Sequence, residues 1–132
     1  MKLARITAAT VAACVAVAVF ATPAMATTSI SYVSATASSG NVIVNVNYTC
    51  TTGIAVLLVD VLNQDPLNGN PLAGAGSLTP TCDNTQHNAN VTVVPVAGSY
   101  ASGQTPFTVI GDLLDVDSVS DAEFTQTNVT LS

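Results

Sequence analysis

The chain has 132 residues, of which 48% are hydrophobic and 8% are charged, and its eight acidic residues outnumber two basic ones. This length allows one domain at most. The acidic balance excludes a nucleic-acid-binding protein, which needs clustered lysine and arginine to neutralise phosphates. Three cysteines are too few for a small scaffold held together mainly by disulfides.

The N-terminal segment has the pattern of a secretory signal peptide. Lys2 and Arg5 precede an apolar run that ends at Phe20, and a small-x-small cleavage site follows. We predict a signal peptide over residues 1–26 and a secreted domain over residues 27–132. This domain keeps all eight acids and has no lysine or arginine. Anionic substrates and anionic membrane surfaces should therefore be repelled.

A competing interpretation of the same segment is a cell-surface lipoprotein. Residues 11–14 resemble a bacterial lipobox, in which Cys14 would carry the lipid. Residues 15–20 continue the apolar run where a lipoprotein usually has a polar tether, which favours an ordinary signal peptide. No second long apolar run follows, so no membrane insertion is expected after cleavage.

Apolar and polar residues alternate along most of the secreted domain, which predicts β-strands. The first two strands are predicted over residues 30–37 and 42–49. In the second strand, every second residue from Val42 to Tyr48 is predicted to face the core, while the residues between them face water. Cys50 continues the inward series.

The third predicted strand, residues 54–62, is apolar on both faces except for Asp60. This composition is typical of a central strand. Because the Asp60 carboxylate must face water, Leu57, Val59 and Val61 are predicted to face the core.

The second half of the domain predicts shorter elements separated by loops. Residues 63–80 form a long connection with at most one short edge strand. Strands are predicted over residues 90–96, 105–114 and 124–131, with an acidic loop over residues 112–123 before the last of them.

These six to seven short strands, without a convincing helix, predict an all-β fold. The expected form is a single immunoglobulin-like antiparallel β-sandwich with Greek-key connections. Cys50 and Cys82 remain after signal removal, and two cysteines in a secreted chain are expected to form a disulfide. Because Cys82 precedes the fifth strand, the bridge should clamp one end of the sandwich. In the loop-entropy model it stabilises the fold by about 3–4 kcal/mol.

The secreted domain resembles a group of small actinobacterial secreted proteins with one immunoglobulin-like sandwich and two cysteines. The resemblance is carried by a strand ending in Tyr48-Thr49-Cys50, by Thr81-Cys82-Asp83, by His87 and by a Val91-Thr92-Val93 strand. It implies an exported β-sandwich without an assigned activity. No functional residue can be transferred to this chain from the group.

The residue sets of common catalytic sites are missing, and we predict no enzymatic activity, no catalytic residue and no cofactor. His87 is the only histidine, and no Gly-x-Ser-x-Gly motif surrounds a serine. Cys50 and Cys82 supply no thiolate once they are paired. One histidine beside two paired cysteines also lacks the ligands that zinc requires.

The function predicted first is that of a secreted, non-catalytic interaction or cell-surface module. Its partner would be an unknown protein or surface, and the module itself is expected to be a monomer. Outward positions rich in threonine, serine and asparagine support this prediction because they form a neutral hydrogen-bonding surface.

One alternative is an extracellular carrier of a small apolar ligand. In size, acidity and predicted fold the chain resembles the secreted apoproteins that bind enediyne antibiotics in a cleft. Leu67, Leu72 and Leu78 in the long connection could line such a cleft or could simply cover the core.

The other alternative is a calcium-binding module that uses the acidic loop over residues 112–123. Calcium takes six to eight oxygen ligands from carboxylates, carbonyls and water. Asp115 and Asp117 match the first and third ligand positions of a calcium-binding loop. Gln126, however, occupies the twelfth position, where the closing carboxylate is needed. A solvated loop is therefore favoured, and no metal ligand is assigned.

Overall fold

The computed structural model describes residues 27–64 and 72–132. The predicted signal peptide, Cys14 of the lipobox-like sequence and Leu67 lie outside these residues. The described residues form seven β-strands and contain no helix. The strands are β1 (Ser29–Ser38), β2 (Asn41–Thr49), β3 (Ile54–Asn63), β4 (Ala73–Leu78), β5 (Gln86–Pro95), β6 (Phe107–Asp115) and β7 (Ser120–Val129).

All seven strands belong to one antiparallel sheet in the order β1-β2-β5-β4-β3-β6-β7. The consecutive strands β3, β4 and β5 are neighbours, β2 lies beside β5, and β6 lies beside β3. Strands β2 to β5 therefore form one Greek key, and strands β3 to β6 form another. The two motifs share β3, β4 and β5. The predicted all-β class and antiparallel topology are confirmed.

The sheet curls until its two outer strands approach each other. Cα atoms of β1 and β7 come within 8 Å, and the rings of Tyr32 and Phe124 are 6.0 Å apart. The chain end covers β1, because Ala37 N–H donates to the Ser132 carbonyl at 2.9 Å and Ser132 N–H donates to the Ala35 carbonyl at 3.2 Å. The result is a nearly barrel-shaped single sheet, and two separate layers of a sandwich are not confirmed.

The core fills the inside of this curled sheet, and the predicted alternation of β2 and β3 is confirmed. Each strand buries every second residue because successive side chains point to opposite faces. The fully buried side chains include Val42, Val44, Val46, Leu57, Val59, Val61, Val93, Phe107, Val109 and Leu113.

The pairing between β4 and β5 is short, and the close approach of the two strands depends on glycine. Only two residue pairs, Gly74 with Pro95 and Ala75 with Val94, join the strands. A Cβ atom on Gly76 would lie 2.1 Å from the Thr92 carbonyl oxygen, and one on Gly74 would also collide with backbone. The two backbones can approach this closely only because both positions lack a side chain.

Two predicted elements were wrong in detail. The short strand within residues 63–80 is β4, which lies between β3 and β5 rather than at an edge. The acidic loop over residues 112–123 is mostly strand, because Asp112 belongs to β6 and Glu123 belongs to β7. These acids alternate with inward Leu113 and Ala122, so they project outward without breaking the sheet.

The predicted disulfide between Cys50 and Cys82 is present, with an S–S distance of 2.09 Å. Cys50 directly follows β2 and Cys82 shortly precedes β5, and these strands are neighbours. Asn84 N–H also donates to the Cys50 carbonyl at 3.1 Å. The bridge therefore clamps one end of two adjacent strands, as predicted.

Candidate functional site

The outward surface of β1, β2 and β5 consists mainly of neutral polar side chains, with Ile43 between two threonines, and we call it the polar face. The register aligns these side chains in rows across the three strands, such as Ser31–Asn47–Asn88 and Ser34–Asn45–Asn90. The polar face comprises Ser31, Ser34, Thr36, Asn45, Asn47, Asn88, Asn90 and Thr92. On this half of the sheet, the predicted neutral hydrogen-bonding surface is confirmed.

An amide network ties β2 to β5 across the polar face. The Asn45 side-chain amide donates to Asn88 at 2.9 Å and to Asn90 at 2.7 Å. The Asn88 amide donates back to Asn45 at 2.7 Å and to Asn47 at 2.9 Å. These groups satisfy much of one another's hydrogen-bonding capacity, so the network serves the sheet itself.

The outward surface of β3 and β6 is different in kind, and we call it the apolar face. Cross-strand partners here are Val56 with Leu114, Asp60 with Ile110, and Leu58 with Asp112. Most of these side chains are partly exposed, and Leu62 is 38% exposed. Val94, which is 55% exposed, lies on β5 and is separated from Asp60 by Ala75 of β4. The apolar face comprises Val56, Leu58, Leu62, Val94, Ile110 and Leu114.

Two carboxylates, Asp60 and Asp112, lie within the apolar face as diagonal neighbours on β3 and β6. Burial raises the pKa of Asp60, and the negative charge of Asp112 raises it further. Asp112 accepts a hydrogen bond from the Ser120 hydroxyl at 3.0 Å. Residues 27–132 contain no lysine or arginine that could balance these charges.

The acids near the β6–β7 turn do not form one ligand set. The Asp115 carboxylate accepts hydrogen bonds from the Asp117 N–H at 2.9 Å and the Val119 N–H at 3.0 Å, so it closes the turn. Within residues 27–64 and 72–132, no group of three or more histidine, cysteine or acidic side chains is placed to hold a metal ion. The calcium alternative thus gains no geometric support here.

The single histidine belongs to a small polar cluster beside the disulfide. His87 Nε2 lies 2.8 Å from the Asp83 carboxylate, which also accepts the Thr85 hydroxyl at 2.6 Å. Hydrogen bonds from Thr85 and then from His87 lower the pKa of Asp83 to about 2. The Thr85 hydroxyl also lies 3.3 Å from Nε2 of His87.

This cluster lacks the arrangement of a catalytic triad. In a triad, the base contacts the nucleophile through one ring nitrogen and the acid through the other. Here the same atom, Nε2, faces both Thr85 and Asp83. The contacts join residues that are two to four positions apart in sequence, so they order the turn that leads into β5.

Two of the leucines that could have lined a ligand cleft pack against the core instead. Leu72 and Leu78 are partly buried and contact the buried cluster. This placement matches the interpretation of these residues as a cover of the core.

Comparison of the chain with protein-family models, with curated proteins and with solved structures finds no significant match. The resemblance to actinobacterial immunoglobulin-like proteins stays a prediction. Among the described residues, none lies in a helix long and apolar enough to cross a membrane.

Proposed function

We propose that the protein is an extracellular, non-catalytic interaction module that binds its partner through the apolar face. The single observation that carries this proposal is the row of partly exposed apolar side chains on β3 and β6. The disulfide and the signal-like N-terminal sequence support an oxidising, extracellular location.

The contrast between the two faces makes the apolar face the candidate binding surface. A sheet with one solvated side normally alternates apolar and polar residues, as β2 does. On β3, leucine and valine occupy outward positions as well as inward ones. Burying such a contiguous surface is favourable by roughly 25 cal/mol per Å², and exposed apolar patches often mark interaction sites.

The proposal is tested by capture from the culture medium and cell envelope of the source organism. Leu58→Thr and Leu62→Thr together make the apolar face polar while retaining good strand formers. Ser31→Thr and Thr92→Ser together provide a matched control on the polar face.

Wild type and the polar-face control are expected to retain the same partner, while the Leu58→Thr/Leu62→Thr variant loses it. Thermal melts of all three proteins show whether the variants remain folded. Retention of the same partner by the folded apolar-face variant would contradict the proposal.

A further inference from the structure

We infer that the partner presents an amphipathic segment in which one arginine, surrounded by apolar side chains, pairs with Asp60 and Asp112. This inference rests on the proposed binding role of the apolar face and specifies the chemistry of its partner. The contacting segment must combine apolar area with a single positive charge.

The charge requirement follows from what happens when the apolar face is covered. Partial burial and the charge of Asp112 already disfavour the ionised form of Asp60, since both raise its pKa. An apolar partner would remove more water from the two carboxylates, and an unpaired buried charge is costly. A cation delivered by the partner offsets this cost, and residues 27–132 contain no lysine or arginine that could do so.

The geometry of the acid pair favours arginine over lysine. Asp60 lies opposite Ile110, and Asp112 lies opposite Leu58, so the two carboxylates are diagonal neighbours across β3 and β6. A planar guanidinium can donate to two carboxylates at once, and its faces are weakly hydrated. It therefore fits between apolar side chains better than a strongly hydrated ammonium group.

Other occupants are opposed by the same charges. Two apolar faces brought together by a second copy would place four carboxylates in one interface without a cation. A lipid surface would have to desolvate both acids, and anionic headgroups would repel them. A basic amphipathic segment is the occupant that gains from both the apolar side chains and the acids.

The test uses two synthetic 14-residue peptides with blocked ends and the same leucine stripe. One carries a central arginine, and the other carries citrulline, which has nearly the same shape without the charge. Dissociation constants are measured at pH 7 in low and high salt. We expect the citrulline peptide to bind wild type about tenfold more weakly at low salt.

Protein variants assign this preference to the acid pair. Asp60→Asn/Asp112→Asn should abolish the preference for arginine, while Asp117→Asn, which removes an acid in the exposed turn, should keep it. Equal affinity of wild type for both peptides, or a preference that survives the double substitution, would overturn the inference.

The remaining outcomes separate this inference from the proposed function. If both peptides bind equally and Leu58→Thr/Leu62→Thr abolishes binding, the binding face stands and the arginine requirement falls. If neither peptide binds, the inference falls, and the capture experiment alone decides the proposed function. A wild-type dimer, or tighter binding to phosphatidylcholine vesicles than to the arginine peptide, would also overturn it.

Discussion

Tyr100 connects the loop after β5 to the central strand β3. Its side chain is 3% exposed, its hydroxyl donates to the Val61 carbonyl at 2.8 Å, and its ring lies 5.7 Å from that of Phe107. Gly74, which pairs with Val61, leaves room for this hydroxyl. The Tyr100 side chain therefore packs in the core and satisfies a buried carbonyl.

Tyr100→Phe should destabilise the fold by about 1–3 kcal/mol, because the Val61 carbonyl loses a buried hydrogen bond while the packing is kept. Urea denaturation at pH 7 measures the loss. Tyr100→Leu, which also removes the ring, should cost more. Equal stability of wild type and Tyr100→Phe would show that the hydrogen bond contributes nothing.

The alkaline behaviour of the same residue gives a separate prediction. Burial, and then the charge of Asp60, raise the pKa of Tyr100 to about 12 from its ordinary value of 10.0. The folded state therefore holds the phenolic proton more tightly than the unfolded state does. This stabilisation is complete below pH 10 and is lost as the pH rises toward 12.

Urea titrations between pH 8 and 11.5 should show a weaker alkaline loss of stability in Tyr100→Phe than in wild type. Some loss should remain, because burial also raises the pKa of Tyr32. Parallel stability curves for the two proteins would contradict the assignment to Tyr100.

At the scale of elements, the close approach of β4 to β5 makes Gly76 a sensitive position. An added Cβ would meet the Thr92 carbonyl oxygen at 2.1 Å and its carbon at 2.8 Å, and both are backbone atoms. Gly76→Ala should destabilise the fold by about 1–3 kcal/mol. The adjacent Ala75→Ser, on the exposed side of β4, should stay within about 0.5 kcal/mol.

Thermal melts compare these two variants directly. Each kcal/mol corresponds to a shift of about 4–8 °C in Tm for a domain of this size. A Tm for Gly76→Ala as high as that of Ala75→Ser would mean that β4 can move away from β5 without cost.

The elements that local pattern could predict are those with strict alternation. The inward residues of β2 and β3 were identified from the sequence because one face of each strand must be buried. Gln86 to Ala89 at the start of β5 offer only Ala89 as an apolar residue, and the Ala-Gly repeat of β4 has low strand propensity. These segments become strands through pairing with distant neighbours, which local pattern does not encode.

The closure of the sheet and the apolar face depend on the whole molecule. The apolar outward residues of β3 were visible in the sequence and indicated a central strand, which is confirmed. Whether a second layer covers a strand depends on how the sheet curls, and this is set by long-range contacts such as those of β1 with β7. The sequence therefore identified the outward apolar residues of β3 but neither those of β6 nor their exposure.

The acids on the apolar face should also keep copies of the protein apart. Asp60→Asn/Asp112→Asn should cause self-association at pH 7, because the apolar patch loses its like-charge repulsion. Asp117→Asn/Asp121→Asn removes two charges elsewhere and should stay monomeric. Wild type should begin to associate as the pH falls toward 4, starting at the apolar face, since Asp60 has a raised pKa and takes up its proton early. Sedimentation velocity over a concentration series measures each case, and identical behaviour of the two double variants would assign the repulsion to net charge alone.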